Sequence, residues 1–470
     1  MEGYLPYAAV AALFAVVGFL RWKLGIKVFF LLVVLDGAMR KWFFPETQQI
    51  VYFFKDFLLL GVYLRVVMDG LPLALPQSAR SWGLLNVIIA LFVTIQIFNF
   101  SLPTMVLGIV GWKSYLWYVP LAFVLPHFFD STEELLRSLR NYALLAFPVV
   151  VVLVFQFFTD AESVLNIGLL DRSEELSMQS GGSLERVRVA GTFTFVSGLT
   201  AYVSAMLAVA MCLLVTTAER SLQDRWIAYL LACVCILSML MSGSRAPIVT
   251  GAVMIAIFLY QAYILSLMRG EGILRLGIAA LVVGGGMIWV LPEASQSWLA
   301  RMKEGQLIDD TISERTYGAF AEIFQVVDVA GFGGYGAGAT HNSAGALIDG
   351  GEFYDWLPIL AEGEMGRVLL ELGIVGWLLV YGARILIIVL LWQEASKATT
   401  GVVRAVLACI CAILIVVLPG HIMINPVANA YYYGAIGIAF AAIRFSRPRS
   451  AEAGAPAWRQ ERGVKVRQVG

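Results

Sequence analysis

The sequence predicts an all-α fold: a polytopic transmembrane helix bundle of about twelve to fourteen spans, with a large polar loop before the last three. Three observations predict it. Of the 470 residues, 60% are hydrophobic and only 14% charged, and the mean hydropathy is +0.80, more apolar surface than one soluble core of this length can hide. Apolar runs of spanning length recur from one end of the chain to the other. Basic residues gather in alternate connections between those runs, the distribution that fixes orientation in a bilayer.

Taken in order, spans are expected near 5–21, 25–39, 50–68, 82–100, 104–126, 142–158, 192–216, 226–243, 246–268, 273–291, 366–392, 402–420 and 427–445. The second is short and the third carries charges. The N-terminal stretch has no basic n-region and no small-residue cleavage site, so it reads as the first span rather than a removable signal peptide. The resulting organisation is ten spans over 1–291 with an outer loop at 159–191, a large outer loop over 292–365, three spans over 366–446, and a basic, disordered tail over 447–470. From Arg444 onward the chain carries seven basic and two acidic residues, which places its C-terminus in the cytoplasm. Counting back, the same face collects Lys397, Arg404, Arg269, Arg275, Arg220, Arg225, Arg137, Arg140, Arg65, Arg80, Arg21, Lys23 and Lys27. The N-terminus and both long connections then lie outside.

The net charge is zero and the pI about 6.8, so no global field points to nucleic acid. The five cysteines, Cys212, Cys233, Cys235, Cys409 and Cys411, all sit in apolar segments, where a thiol behaves as a small hydrophobe. Their spacing matches neither a zinc site nor a thioredoxin motif, and no disulfide framework is expected.

The large outer loop is acidic. Within it, 312–328 spaces apolar residues as an amphipathic helix does, and AGFGGYGAGATHNSAGALIDGG reads as glycine-rich loop. Several cations fall on this outer side, against the general pattern: Arg40, Lys41, Arg186, Arg188, Arg245, Arg315 and Arg367. Arg245 stands in SGSRAP, where one span ends and Pro247 opens the next. It reads either as a snorkelling interfacial arginine or as an anion contact beside helix-initiating amides. As a set, these guanidinium groups suit a membrane-borne phosphate or diphosphate, which a planar fork binds bidentately. Glu362, Glu364, Arg367 and Glu371 approach and enter an apolar helix, where ionisable groups are costly. Arg367 and Glu371 have the spacing of a helical ion pair. His341 is the only one of the three histidines in a long outer loop. Lys55 and Asp56 read as a buried pair neutralising each other. Trp298, Tyr317, Tyr335, Tyr354 and Trp356 suit either a sugar groove or an interfacial aromatic belt.

Four short motifs, in this order, resemble the O-antigen ligase and O-antigen polymerase superfamily of bacterial envelope proteins: R-V-A-G-T-F at 188–193, S-G-S-R at 242–245, G-F-G-G-Y-G at 331–336 after an early loop arginine, Arg315, and E-L-G-I-V-G at 371–376. The similarity spans roughly residues 185–395, and the block DGAMRKWFFPETQQIVYFFKD resembles exopolysaccharide-polymerase-like members. The resemblance implies a GT-C-like, metal-independent glycosyltransferase of the bacterial inner membrane, without a cofactor. Its implied partners are an undecaprenyl-pyrophosphate-linked oligosaccharide, an acceptor glycan, membrane lipids and other polysaccharide-assembly proteins, and no nucleic acid. Arg188, Arg245, Arg315 and Arg367 are the implied diphosphate contacts. In the ligases a histidine precedes the glutamate of the E-x-G helix, and Glu362 stands at that position here. The base is therefore expected to be Glu362 or Glu364, or else His341 folding back from the loop. Polymerase activity is favoured over ligation to a lipid core or protein O-glycosylation. A transporter of polysaccharide or small molecules is the rival from another class, and would call for helices broken near the bilayer midplane. A non-catalytic scaffold or sensor leaves the outer cations unexplained.

Overall fold

The computed structural model describes residues 5–160, 162–166, 188–216, 222–290, 312–342, 344–348 and 356–446, without the side chains of 5, 6, 49, 290, 312–320, 345 and 346. Arg186, Arg220, Trp298 and Tyr354, most of the 159–191 loop, the first part of the large loop and the 447–470 tail lie outside these residues. So do the side chains of Arg315 and Tyr317.

Among the described residues the chain is built from helices and contains no strand. The helices are α1 (Leu5–Leu20), α2 (Trp22–Ala38), α3 (Gln48–Met68), α4 (Arg80–Gln96), α5 (Met105–Leu116), α6 (Leu121–Val124), α7 (Thr132–Ala143), α8 (Ala146–Phe158), α9 (Val196–Thr216), α10 (Leu222–Met241), α11 (Arg245–Ile264), α12 (Gly270–Val290), α13 (Ile312–Ala330), α14 (Glu364–Lys397), α15 (Gly401–Val416) and α16 (Pro426–Ser446). Among the described residues eight helical stretches are long and apolar enough to cross a bilayer, and the shorter apolar helices Tyr7–Leu20 and Gly401–Val416 accompany them. The protein is a multi-pass membrane protein.

Helix starts follow local chemistry. Ser131 caps α7 by accepting from the Glu134 amide at 3.2 Å, and Glu134 reaches back to the Asp130 amide at 2.7 Å. Pro247 falls in the first turn of α11, where a missing N–H costs no hydrogen bond. Apolar side chains give no net drive for helices to associate within lipid, so close backbone approach matters there. A Cβ on Gly18 would strike the Leu58 carbonyl, and one on Gly61 the Ala15 carbonyl. These two glycines let α1 and α3 cross at backbone contact. The core runs through the bundle, with Phe29, Leu58, Trp82, Leu121, Tyr202 and Phe440 all almost fully enclosed. A satellite cluster of Val326, Ala330, Leu369 and Leu370 docks the expected amphipathic helix, α13, onto the start of α14.

Side-chain bonds sort the helix ends into two sets. Arg404 at the start of α15 donates to the Leu265 carbonyl just past α11 at 3.0 Å and to the Ala398 carbonyl just past α14 at 2.6 Å. Lys23 lies 3.5 Å from Asp130, Arg140 lies 2.6 Å from Asp224, and Arg444 donates to the Pro126 carbonyl at 2.9 Å. All of these mark one end of the bundle, the basic end. The starts of α11 and α14 and the end of α15 therefore lie at the other. The loop after α2 lies there too, where Lys41 donates to the Gly191 carbonyl at 3.1 Å.

Two expectations change. Lys55 and Asp56 do not neutralise each other: Lys55 is 3.3 Å from Asp36, and Asp56 is 2.6 Å from Lys113 and accepts from the Tyr118 hydroxyl at 2.8 Å. Adjacent helical residues point about 100° apart, so each finds a partner on a different helix. The glycine-rich stretch read as an outer loop is non-helical over 331–342, as expected, but Ala344–Leu347 forms a short helix, and Ala337, Ala339 and Thr340 are buried. It enters the bundle between α5 and α14. A Cβ on Gly338 would collide with the Leu107 carbonyl, and one on Gly111 with the backbone of Ala337 and Gly338, so these glycines admit it.

Candidate functional site

The site begins with a break in α14. Gly373 sits at φ +67°, ψ −174°, so the helix stops and restarts there. A break of this kind leaves the Leu370 and Glu371 carbonyls and the Ile374 and Val375 amides without their helical partners. The glycine-rich segment takes all four. Tyr335 and Gly336 amides donate to the Leu370 and Glu371 carbonyls at 2.8 and 2.9 Å, and Ile374 and Val375 donate to the Gly331 and Phe332 carbonyls at 3.0 and 3.4 Å. From α4 and the turn after it, Gln96 and Asn99 donate to the Gly333 and Gly334 carbonyls at 2.7 and 3.0 Å. Lipid cannot satisfy backbone groups, so an interrupted helix in a bilayer needs such a filling segment.

The same segment delivers the polar residues. Thr340 donates to Glu371 Oε1 from its amide at 3.0 Å and from its hydroxyl at 2.7 Å. Glu371 thus does not pair with Arg367, although their spacing allows it. Arg367 instead donates from Nε to the Ala361 carbonyl at 3.0 Å, and from Nη1 to the Thr340 carbonyl at 3.3 Å and Asn342 Oδ1 at 3.0 Å. Every one of these acceptors is neutral. Arg367 makes no ion pair with a carboxylate among the described residues, although the Glu322 carboxylate is close enough to feel its charge.

His341 lies next to this guanidinium, in a turn where its amide donates to the Gly338 carbonyl at 2.9 Å. Burial first, then the nearby charges of Lys113 and Arg367, lower its pKa from the ordinary 6.5 to about 4. The ring is neutral at neutral pH. On the other side, Glu322 of α13 accepts from the Glu362 amide at 2.5 Å and the Gly363 amide at 3.0 Å, fixing the approach to α14. Burial raises the Glu322 pKa, while the two amides and Arg367 pull it down.

The residues singled out from the sequence separate into groups. His341, Arg367 and the 362–364 turn meet. Glu362 is exposed at the rim and contributes its backbone amide. Glu364 is fully enclosed, 2.5 Å from Arg384 Nη2, and accepts from the Met423 amide at 2.8 Å. With both oxygens engaged in the interior, it braces α14 against the chain after α15 and is closed to an acceptor. Arg245 occupies the first turn of α11 at the same end of the bundle, with no hydrogen bond or ion pair to another described residue. The helix α15 packs against both α11 and α14, and the contacts around Arg367 do not extend to Arg245. Arg188 leads into Gly191, whose amide donates to Gln156 Oε1 at 2.7 Å and whose carbonyl binds Lys41, so it is held beside α2 and α8. Arg315 belongs to the first turn of α13. Trp356 donates from its indole to the Ala339 carbonyl at 3.1 Å, which gives this aromatic a role in anchoring the loop.

Sequence reasoning missed Lys113, Glu322, Asn342, Arg384 and His421. Glu364 and Arg367 both act electrostatically on His421. A signal for it existed: it follows Pro419-Gly420, a helix-ending pair, at the outer end of a span. Asn342 directly follows His341 in the loop, and Lys113, Glu322 and Arg384 lie inside helices and carry no local mark.

A second ionic cluster adjoins from the N-terminal block. Arg40, Lys55 and Lys113 surround the Tyr52 ring at 5.2, 4.1 and 4.0 Å from its centroid, with Asp36 and Asp56 as their carboxylates. Three cations against two anions leave this cluster positive, and Lys113 links it to His341. No family model, curated protein or solved structure matches the chain.

Proposed function

We propose that the protein transfers or polymerises glycan units from a polyprenyl-diphosphate-linked donor onto a sugar hydroxyl at the outer face of the bacterial inner membrane, as the O-antigen polymerases and ligases do whose motifs it resembles. One observation carries the proposal: Arg367 is held by three neutral acceptors beside a neutral imidazole, a guanidinium with no ion pair to a described carboxylate and so suited to an anionic group. The positive-inside rule would turn the basic end to the cytoplasm, and this site would then face the outer side.

In the proposed reaction His341 accepts the proton of the acceptor hydroxyl. The new glycosidic C–O bond forms as the anomeric C–O bond to the diphosphate breaks, and the electron pair leaves on the diphosphate. Arg367 stabilises that charge, aided by the net positive cluster around Tyr52. A pKa near 4 makes His341 a weak base in the empty site. A bound diphosphate would oppose the Lys113 and Arg367 charges and raise it. Glu362, exposed at the rim, is the alternative base. Arg188, Arg245 and Arg315 then serve the approach of the lipid headgroup. Polymerisation remains favoured over ligation because of the block 36–56.

The break at Gly373 favours a second reading, a transporter with a discontinuous helix. In such proteins the freed backbone groups face the substrate. Here all four are taken by 331–336, which supports the enzyme reading.

The test is to reconstitute the protein in vesicles with a polyprenyl-diphosphate-linked oligosaccharide and follow glycan length. Chain growth is expected, reduced roughly 100-fold in Arg367→Ala. Movement of the oligosaccharide across the vesicle without a new glycosidic bond would select the transporter.

A further inference from the structure

A second, apolar cavity lies away from this site, and we infer that it binds one acyl chain of an anionic phospholipid from the leaflet at the basic end of the bundle. The cavity has a volume of about 400 Å³. It lies between α2, α7, α9, α15 and α16; of its lining residues Lys27 and Asn141 are exposed and Ser138 half-buried, which puts its mouth beside them, whereas Met206, Cys212 and Cys409 are buried along its wall. Lys27 is on the turn after Lys23, and Ser138 and Asn141 flank Arg140, so the mouth opens at the basic end.

Three features select the occupant. The walls are overwhelmingly apolar, and an apolar volume of this size at membrane depth suits hydrocarbon rather than a sugar or an ion. The phenols at its inner part are already satisfied: Tyr142 donates to the Phe30 carbonyl at 3.1 Å and shares a 2.5 Å hydrogen bond with Tyr431, so they present no unmet group to a polar solute. At the mouth, Lys27 is exposed and has no carboxylate partner among the described residues, its ammonium lying 5.9 Å from the Phe128 ring centroid. Asp130, the acidic residue close by, is paired with Lys23. A cation at headgroup level above an apolar slot fits a negatively charged phosphate ester whose chain enters the slot.

The inference is independent of glycan transfer and is tested with the full chain in vesicles. Phosphatidylglycerol and phosphatidylcholine, each carrying a photoreactive diazirine in one acyl chain, are compared by mapping the labelled peptides. Labelling of the peptides that contain Cys212 and Cys409, both buried, is expected, with roughly fivefold preference for phosphatidylglycerol. Lys27→Gln should abolish that preference while labelling continues, and Ala205→Phe, which projects into the slot, should suppress labelling there. Equal labelling by the two lipids in the unaltered protein overturns the inference. So does labelling confined to lipid-facing helices such as α12.

Discussion

Arg384 and Glu364 meet as an enclosed ion pair, Nη2 to Oε1 at 2.5 Å, with the second carboxylate oxygen taken by the Met423 amide. The pair joins the first turn of α14 to a residue past the Gly373 break and to the chain after α15, so it fixes the bent helix in one shape. Removing one partner of such a pair strands the other charge. Glu364→Gln is expected to destabilise the protein by about 3–5 kcal/mol, and Glu364→Gln with Arg384→Met to recover most of that loss. Thermal unfolding in detergent checks it, and equal melting temperatures for wild type and Glu364→Gln would refute it.

Gly373→Ala is expected to be harmful by two routes. A side chain at φ +67° costs about 1–2 kcal/mol, and its Cβ would press on the Phe332 carbonyl, part of the segment that fills the break. Cysteine accessibility at positions 337 and 339, both buried, should rise as the segment detaches. Unchanged labelling would mean that the bent helix tolerates a left-handed alanine.

The titration of His341 has a definite sign. Its folded pKa of about 4 lies below the ordinary 6.5, so between those values the unfolded chain binds more protons than the folded one. The contribution of neutral His341 is complete above pH 6.5 and declines as the pH falls toward 4. His341→Gln should flatten the melting temperature over that window relative to wild type. A parallel loss in both proteins would assign the acid sensitivity to other groups.

Glu322→Gln replaces charge-assisted acceptors at the Glu362 and Gly363 amides with a weaker neutral one. About 1.5–3 kcal/mol of local protection is at stake. Hydrogen exchange should quicken at those two amides and leave the interior of α9 unaffected. Equal acceleration across the chain would indicate global destabilisation instead.

The helices of this protein were legible because hydropathy is a local property. A run such as 196–216 must be a span whatever surrounds it, and alternate basic connections must share one end, as Lys23, Arg140, Arg404 and Arg444 do. Arg367 could be singled out because ionisable groups entering apolar segments are rare and costly, and His341 because it is the only one of the three histidines in a long outer loop. Their partners could not. Arg367 and Glu371 have ideal helical spacing, yet each bonds to the Thr340 region instead, because a segment thirty residues away in sequence fills the break between α14's halves. Lys55 and Asp56 are neighbours in the chain but face different helices, and so take Asp36 and Lys113.

By itself, then, the amino-acid sequence determined that the chain is an all-helical, multi-pass membrane protein, that its basic connections gather at one end, and which charges would be expensive to keep. Only the tertiary structure decided how those charges are compensated. Burial of an apolar run depends on its own composition, whereas a buried charge is settled by whichever distant donor or carboxylate the packing brings within about 3 Å. Gly373 shows the difference most directly: the glycine is visible in the sequence, but its positive φ has meaning only beside the four hydrogen bonds that Gly331–Gly336 supplies.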